Sequence, residues 1–146
     1  MNDRFKFRIA VYERQQNNMH WEFIEYIDPS NQHWGLNQCG DIISDHSYSA
    51  HYTRKNAPDS VHRVYEPEQC TGLKDKNGNL IYEGDIVYDS VYENNFVVSW
   101  DNDRTGYILS ANNTNHIDYL SKILIERHNL KIIGNIHEQT EQKDVK

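Results

Sequence analysis

The dipeptide Asn77-Gly78 lies between two runs of strand-forming residues and constrains this chain more than any other short feature. A tight turn that matches strand twist needs positive φ at its centre, which asparagine and glycine supply at least steric cost. Strands should therefore flank it. The same punctuation recurs through residues 70–138. Gly84-Asp85 precedes Ile86-Val87-Tyr88, Asn94-Asn95 is expected to turn the chain into Phe96-Val97-Val98-Ser99-Trp100, and residues 101–106 turn it again into Tyr107-Ile108-Leu109. Residues 130–137 read as a closing strand with Gly134 in its interior, the mark of a bulge or a close backbone approach. Ile117, Leu120, Ile123 and Leu124 fall at helical spacing, so one short helix is expected over 117–127, with Asn115 as its N-cap, before that last strand.

The first half is organised differently. Residues 4–12 alternate, with Phe5, Phe7, Ile9 and Val11 on one side and Arg4, Lys6, Arg8 and Tyr12 on the other, which predicts a half-buried strand. Residues 20–27 resume strand-forming composition after a polar connection, so an N-terminal β-hairpin is expected, although the alternation in its second arm is imperfect. Residues 28–60 are polar and too long for a plain connection, so they should carry a function or hidden structure. Residues 61–66 read as a short strand that Pro67 closes, suited to a sheet edge. The expected organisation is an N-terminal β region over 1–69 containing the long polar loop, a C-terminal β module over 70–138, and a solvated tail over 139–146.

The 146 residues carry a net charge of −7, and this acidic balance opposes generic attraction to nucleic acid or an anionic membrane. Ten tyrosines, four phenylalanines and three tryptophans supply the buried area that a polar chain otherwise lacks. Cys39 and Cys70 have no C-x-x-C spacing and are expected as reduced thiols. No apolar window approaches the length that a membrane helix needs, and no basic start precedes an apolar core at the N-terminus. The cytoplasm is the expected compartment.

Cys70-Thr71-Gly72-Leu73-Lys74-Asp75-Lys76-Asn77-Gly78, Ile81-Tyr82-Glu83-Gly84-Asp85-Ile86-Val87 and Ile133-Gly134-Asn135-Ile136-His137-Glu138, in that order, resemble the YopX family, and Lys6-Phe7-Arg8 is similar to its start. Cys70 stands where that pattern usually has an aromatic, and Ala10-Val11-Tyr12 replaces a common Trp-Asp. The resemblance implies a phage or prophage origin and a β-rich fold whose C-terminal part is similar to a small SH3-like barrel. It implies no established activity. The fold class expected from these readings together is mainly β, with an N-terminal hairpin region, an SH3-like C-terminal barrel and one short helix.

Several constellations resemble sites and read better as structure. Gly84-Asp85 could present Asp85 as a base, but a glycine of positive φ followed by a capping aspartate is ordinary turn chemistry. Residues 75–79 place oxygen donors at alternate positions, yet the sixth residue of that run is Leu80 where a calcium loop needs glycine. His33, His46 and His51 share the central segment with Cys39, Asp41 and Asp45 without the spacing of a zinc site. Ser44-Asp45-His46 cannot converge as adjacent residues into a triad. Asp101 and Asp103 read as turn residues. No cofactor, metal or catalytic residue is assigned, and no enzymatic activity is expected.

Small β modules bind by stacking and strand pairing, so the candidate binding residues are Tyr82, Tyr88, Trp100 and Tyr107, together with Arg4, Lys6 and Arg8. Alternation puts Trp100 with Phe96 and Val98, which favours a core position for it and leaves Tyr88 and Tyr107 as the better exposed candidates. The leading expectation is a non-enzymatic accessory module that binds a protein, either a partner or its own copy in a homo-oligomer. The alternative is a nucleic-acid-binding module that uses the basic strand face with exposed tyrosines.

Overall fold

The computed structural model describes residues 6–14, 20–29, 34–37, 39–44, 51–111 and 113–138. The chain is mainly β and folds as two compact units, one formed by Phe7–Glu68 and the other by Met1–Lys6 with Gln69–Lys146. Each is described separately below.

In the first unit, β1 (Phe7–Glu13) pairs antiparallel with β2 (Glu22–Ile27), as the hairpin reading requires. The ladder slips between Val11 and Tyr12, with Val11 opposite Glu25 and Tyr12 opposite Phe23. Ile24 is thereby passed over and left exposed, which accounts for the imperfect alternation of the second arm. β1 is not half-buried as expected. Ile9 and Val11 pack with Ile42, Trp34 and Tyr65, while Ala10 and Tyr12 pack on the other side with Val64, Trp21 and Phe23. The strand is covered on both faces, so its polar-looking side is interior.

The polar segment hides a second hairpin, in which β3 (Trp34–Leu36) pairs antiparallel with β4 (Ile42–Ser44) and contributes the buried Ile42. The following strand, β5 (Arg63–Lys74), does not stop at Pro67 but runs straight through it. The Tyr65 N–H points away from β1, to Tyr52 O at 3.0 Å. Pro67 has the same parity, so its missing donor falls outside the β1 ladder and breaks no bond there.

In the second unit, the last part of β5 pairs with β6 (Leu80–Tyr82) across the Asn77-Gly78 turn, where Gly78 has φ +84°. A five-stranded antiparallel sheet follows. Its strands are β7 (Asp85–Asp89), β8 (Asn94–Asp101), β9 (Gly106–Ser110), β10 (Ile117–Tyr119) and β11 (Lys131–Asn135), and its spatial order is β10-β9-β8-β7-β11. The resemblance implied an SH3-like barrel; the described strands form an open sheet, and the fold includes a curled half-barrel. The ladder between β11 and β7 slips between Ile132 and Gly134, so the glycine does mark an irregularity. The turn into β8 lies one step earlier than expected. Glu93 takes the left-handed conformation at φ +53°, while Asn94 and Asn95 already belong to the strand.

The helix is also shorter than expected. Residues 117–119 are strand β10, and α1 spans Lys122–His128, with Ser121 rather than Asn115 as the N-cap; its hydroxyl accepts from Leu124 N at 3.1 Å. Leu120 sits at the junction and is buried, so its spacing fits either geometry. The inward residue of α1 is Ile125, whereas Ile123 is exposed. Ile125 joins Ile81, Val87, Phe96, Val98, Leu109 and Leu130 in the core of this unit.

Candidate functional site

The two edges of the five-stranded sheet are treated differently. On the β11 side, Asp75 in the β5–β6 turn accepts from Ile132 N at 2.9 Å, and Lys76 N donates to Leu130 O at 2.9 Å. These bonds cap that edge. On the β10 side, Leu120 N donates to Tyr107 O at 3.0 Å, and the register sets Asp118 opposite Leu109. By the alternation of an antiparallel ladder, the backbone groups of Ile117 and Tyr119 point away from β9. No described strand pairs with β10 on that side. The side chains of Ile117 and Tyr119 are 43% and 57% exposed, so this short edge presents apolar surface together with outward-facing donors and acceptors.

Aromatics gather at the adjoining corner. Trp100 and Tyr107 are register partners on β8 and β9, and their rings meet edge to face at 5.2 Å between centroids. Trp100 shares the parity of Phe96 and Val98 but is 47% exposed, because β8 runs on past the core. The core position expected for Trp100 is therefore corrected. Its indole N–H donates to Asn102 Oδ1 at 2.8 Å. Tyr107 is half-buried, and burial, followed by the nearby Glu83 and Cys70, pushes its phenol up to about 12. The Tyr119 ring lies across Gly106, 3.8 Å from where a Cβ would stand there, so the glycine gives the ring a flat seat.

The remaining sequence candidates are not collected at this corner. Tyr88 is half-buried opposite Asn95, on the sheet face away from Trp100 and Tyr107. Tyr82 is half-buried on β6, where its N–H donates to Asp85 Oδ2 at 2.8 Å, so Asp85 acts as the turn cap that its position predicts. Asp101 likewise accepts from the N–H groups of Asp103 and Arg104; the Arg104 side chain leads those bonds in holding its carboxyl below the usual range.

Of the expected basic stripe, only Lys6 and Arg8 lie among the described residues. Arg8 donates from Nε to Glu68 at 2.8 Å and lies over the Tyr26 ring at 3.9 Å, with a side chain only 16% exposed. Lys6 is exposed and its carbonyl accepts from Cys70 N, while Arg4 lies outside the described residues. Other cations of this first unit are spent in the same way, Arg54 lying over Tyr12 and pairing with Glu66. Desolvation, which opposes burying a charge, is offset here by carboxylates and ring faces.

Of the histidine and cysteine candidates, His33, Asp45 and His46 lie outside the described residues. His51 packs between Trp34 and Tyr65 and shares a hydrogen bond with Ser44 Oγ at 3.0 Å; burial lowers its pKa. Cys39 is exposed and Cys70 buried, and both are free thiols. Among the described residues, no group of three or more His, Cys, Asp or Glu is placed to hold a metal ion, and no helix is long and apolar enough to cross a membrane.

A further cluster escaped the sequence reading. The buried Asp89 accepts from Val91 N, from Tyr92 N and, at 2.7 Å, from His128 Nδ1. The Tyr92 ring touches both His128 and His116, and His116 bonds Asp118 at 2.7 Å. A carboxylate-oriented imidazole is one half of a nucleophilic relay. The neighbouring Ser90 hydroxyl, however, donates to the His128 carbonyl at 2.7 Å, so it ties the turn to the end of α1 and leaves the ring alone. No local pattern joins Asp89 to a histidine on α1, which is why the pair was not legible.

A family model described as YopX protein matches residues 6–142, and the chain belongs to the YopX family. No curated protein sequence matches it.

Proposed function

We propose that this YopX-family chain is a non-enzymatic, macromolecule-binding accessory protein of phage or prophage origin, acting in the host cytoplasm. It takes an extended segment of a partner protein as an added strand against β10. The observation that carries this reading is the asymmetry of the sheet, with β11 capped by Asp75 and Lys76, β10 unpaired on its outer side by any described strand, and Ile117 and Tyr119 exposed. Strand addition draws affinity from main-chain bonds and selectivity from alternate side chains, and the ladder parity of β10 offers both. Trp100 adds a large, rigid contact beside it at low entropic cost. The nucleic-acid reading is less favoured, since one of its three basic residues, Arg8, has its guanidinium engaged by Glu68 and Tyr26.

The test compares the wild-type protein with a Trp100→Ser, Tyr119→Lys double variant in crosslinking and affinity capture from an infected or lysogenic host, alongside a salt series of DNA and RNA binding. A partner held by the wild type and lost by the variant supports strand addition at β10. Equal capture by both proteins refutes it, as does steeply salt-dependent nucleic-acid binding without a protein partner.

A further inference from the structure

A groove of about 590 Å³ lies between the β5–β6 turn and α1, lined by Leu73, Lys74 and Lys76 on one side and by Lys122, Ile125 and Glu126 on the other. Leu73 is partly buried and Ile125 is buried in the core, so they give the groove an apolar floor. The three lysines are exposed, and none is in an ion pair with a described residue. In a chain of net charge −7, whose other unit spends its arginines on rings and carboxylates, three unpaired cations around one concavity are a local exception.

Lys122 is placed against its own helix. It occupies the first turn of α1, where no acidic residue is present and where the helix dipole favours negative charge. A lysine there weakens the helix, and the groove gains a cation. Asp75, the one acidic residue at the base of the turn, has its oxygens occupied by the N–H groups of Asn77, Asn79 and Ile132, so it is turned into the backbone. Glu126 on the rim and the buried Asp75 carboxylate both subtract from the three lysine charges, which still outnumber them.

We propose that this groove binds a short acidic peptide segment, with carboxylates meeting Lys74, Lys76 and Lys122 and apolar side chains resting on Leu73 and Ile125. Lys74 and Lys76 stand two residues apart, and in an extended peptide carboxylates at every second position recur at a similar spacing of about 6–7 Å. A short acidic segment profits from three cations lining one groove and ends before the acidic remainder of the protein repels it, since charges further off than a Debye length of about 8 Å are screened. A nucleic-acid strand carries its charge on beyond the groove and meets that repulsion. The site is separate from β10 and does not depend on the reading given for that edge.

The experiment is a fluorescence anisotropy titration of the full chain with a short fluorescein-labelled peptide of alternating glutamate and leucine. Single-stranded DNA and inorganic phosphate serve as competitors. The peptide binds at low salt and weakens as salt rises. Lys74→Glu combined with Lys122→Glu weakens it about tenfold, and Glu126→Lys tightens it about threefold. Lys122→Glu alone lowers peptide affinity while leaving the melting temperature unchanged or raised, which separates a binding role from a structural one. Tyr119→Lys leaves peptide binding unchanged. The proposal is overturned by absence of binding at low salt, by affinities indifferent to the charge reversals, or by DNA or phosphate displacing the peptide at lower concentration than unlabelled peptide does.

Discussion

Replacing Asp75 with alanine should destabilise the C-terminal unit far more than a turn residue ordinarily does. One carboxylate oxygen accepts from Asn77 N and Asn79 N, both at 2.9 Å, and the other accepts from Ile132 N at 2.9 Å, 57 positions further along the chain. The residue itself is only 5% exposed. Hydrogen bonds to a charged acceptor are worth about 1.5–3 kcal/mol each, and a buried donor left without a partner costs about 1–3 kcal/mol. The donors of the exposed Asn77 and Asn79 can turn to water, so each loses about 0.5–1 kcal/mol. Ile132 N–H lies on a half-buried strand edge and loses about 1.5–2 kcal/mol. The sum is about 3 kcal/mol, and at about 4–8 °C per kcal/mol for a unit of this size the melting temperature falls by some 12–24 °C. Asp75→Asn retains one acceptor and sets an amide N–H₂ against a backbone donor, so it should cost about half as much. Urea unfolding read by tryptophan fluorescence and circular dichroism checks both, with the midpoint lowered and the slope unchanged. A loss below about 1 kcal/mol for the alanine variant, or an asparagine variant as stable as the wild type, would show that the capped edge is not held by this carboxylate.

Arg8→Ala should destabilise the N-terminal unit by about 2–3 kcal/mol, less than for a fully buried ion pair, and should leave weak nucleic-acid binding unaltered; chemical denaturation and a filter-binding series measure the two. Because the Tyr107 phenol is raised to about 12, the unfolded chain ionises first as pH climbs above about 10, and stability is lost through that window. Tyr107→Phe should therefore resist alkaline unfolding better than the wild type in a melting-temperature series. Burial lowers the pKa of His51 from 6.5, so the unfolded state takes up the proton first and stability falls as pH drops through that value. His51→Gln should flatten this acid limb while leaving the neutral melting temperature within a few degrees.

The strands of the C-terminal half were legible because glycine, asparagine and aspartate mark where the chain must reverse, and Asp85, Asp101 and Gly78 perform the turn roles their types predict. What failed was set by partners distant in sequence. Alternation in residues 7–13 shows which side chains share a face; it cannot show that Val64 and Phe23 cover one face while Ile42 and Trp34 cover the other. Ile117, Leu120 and Leu124 satisfy helical spacing, and only the pairing of Ile117 with Ser110 and of Tyr119 with Ile108 makes the first part a strand. The exposure of Trp100 goes with how far β8 extends beyond β7, whose register with it ends at Val97, a length that parity does not encode. Arg8 looked like surface charge because Glu68, its partner, lies 60 positions away. Of the candidate residues, Trp100 and Tyr107 meet at the β10 corner, Tyr88 faces away from them, and the edge residues Ile117 and Tyr119 fall in the segment whose spacing predicts a helix.

The unequal edges of the C-terminal sheet bear on stoichiometry. A sheet with two receptive borders can propagate, each copy templating the next into a fibre of no defined length. Here the bonds from Lys76 to Leu130 and from Ile132 to Asp75 close one border. If β10 takes a strand as proposed, growth through this sheet terminates after a single addition, whether the incoming strand belongs to another protein or to a second copy related by a two-fold axis. Cutting the Asp75 tether would remove one of the two bonds that close this border, leaving the backbone bond from Lys76 to Leu130 to bar a second addition.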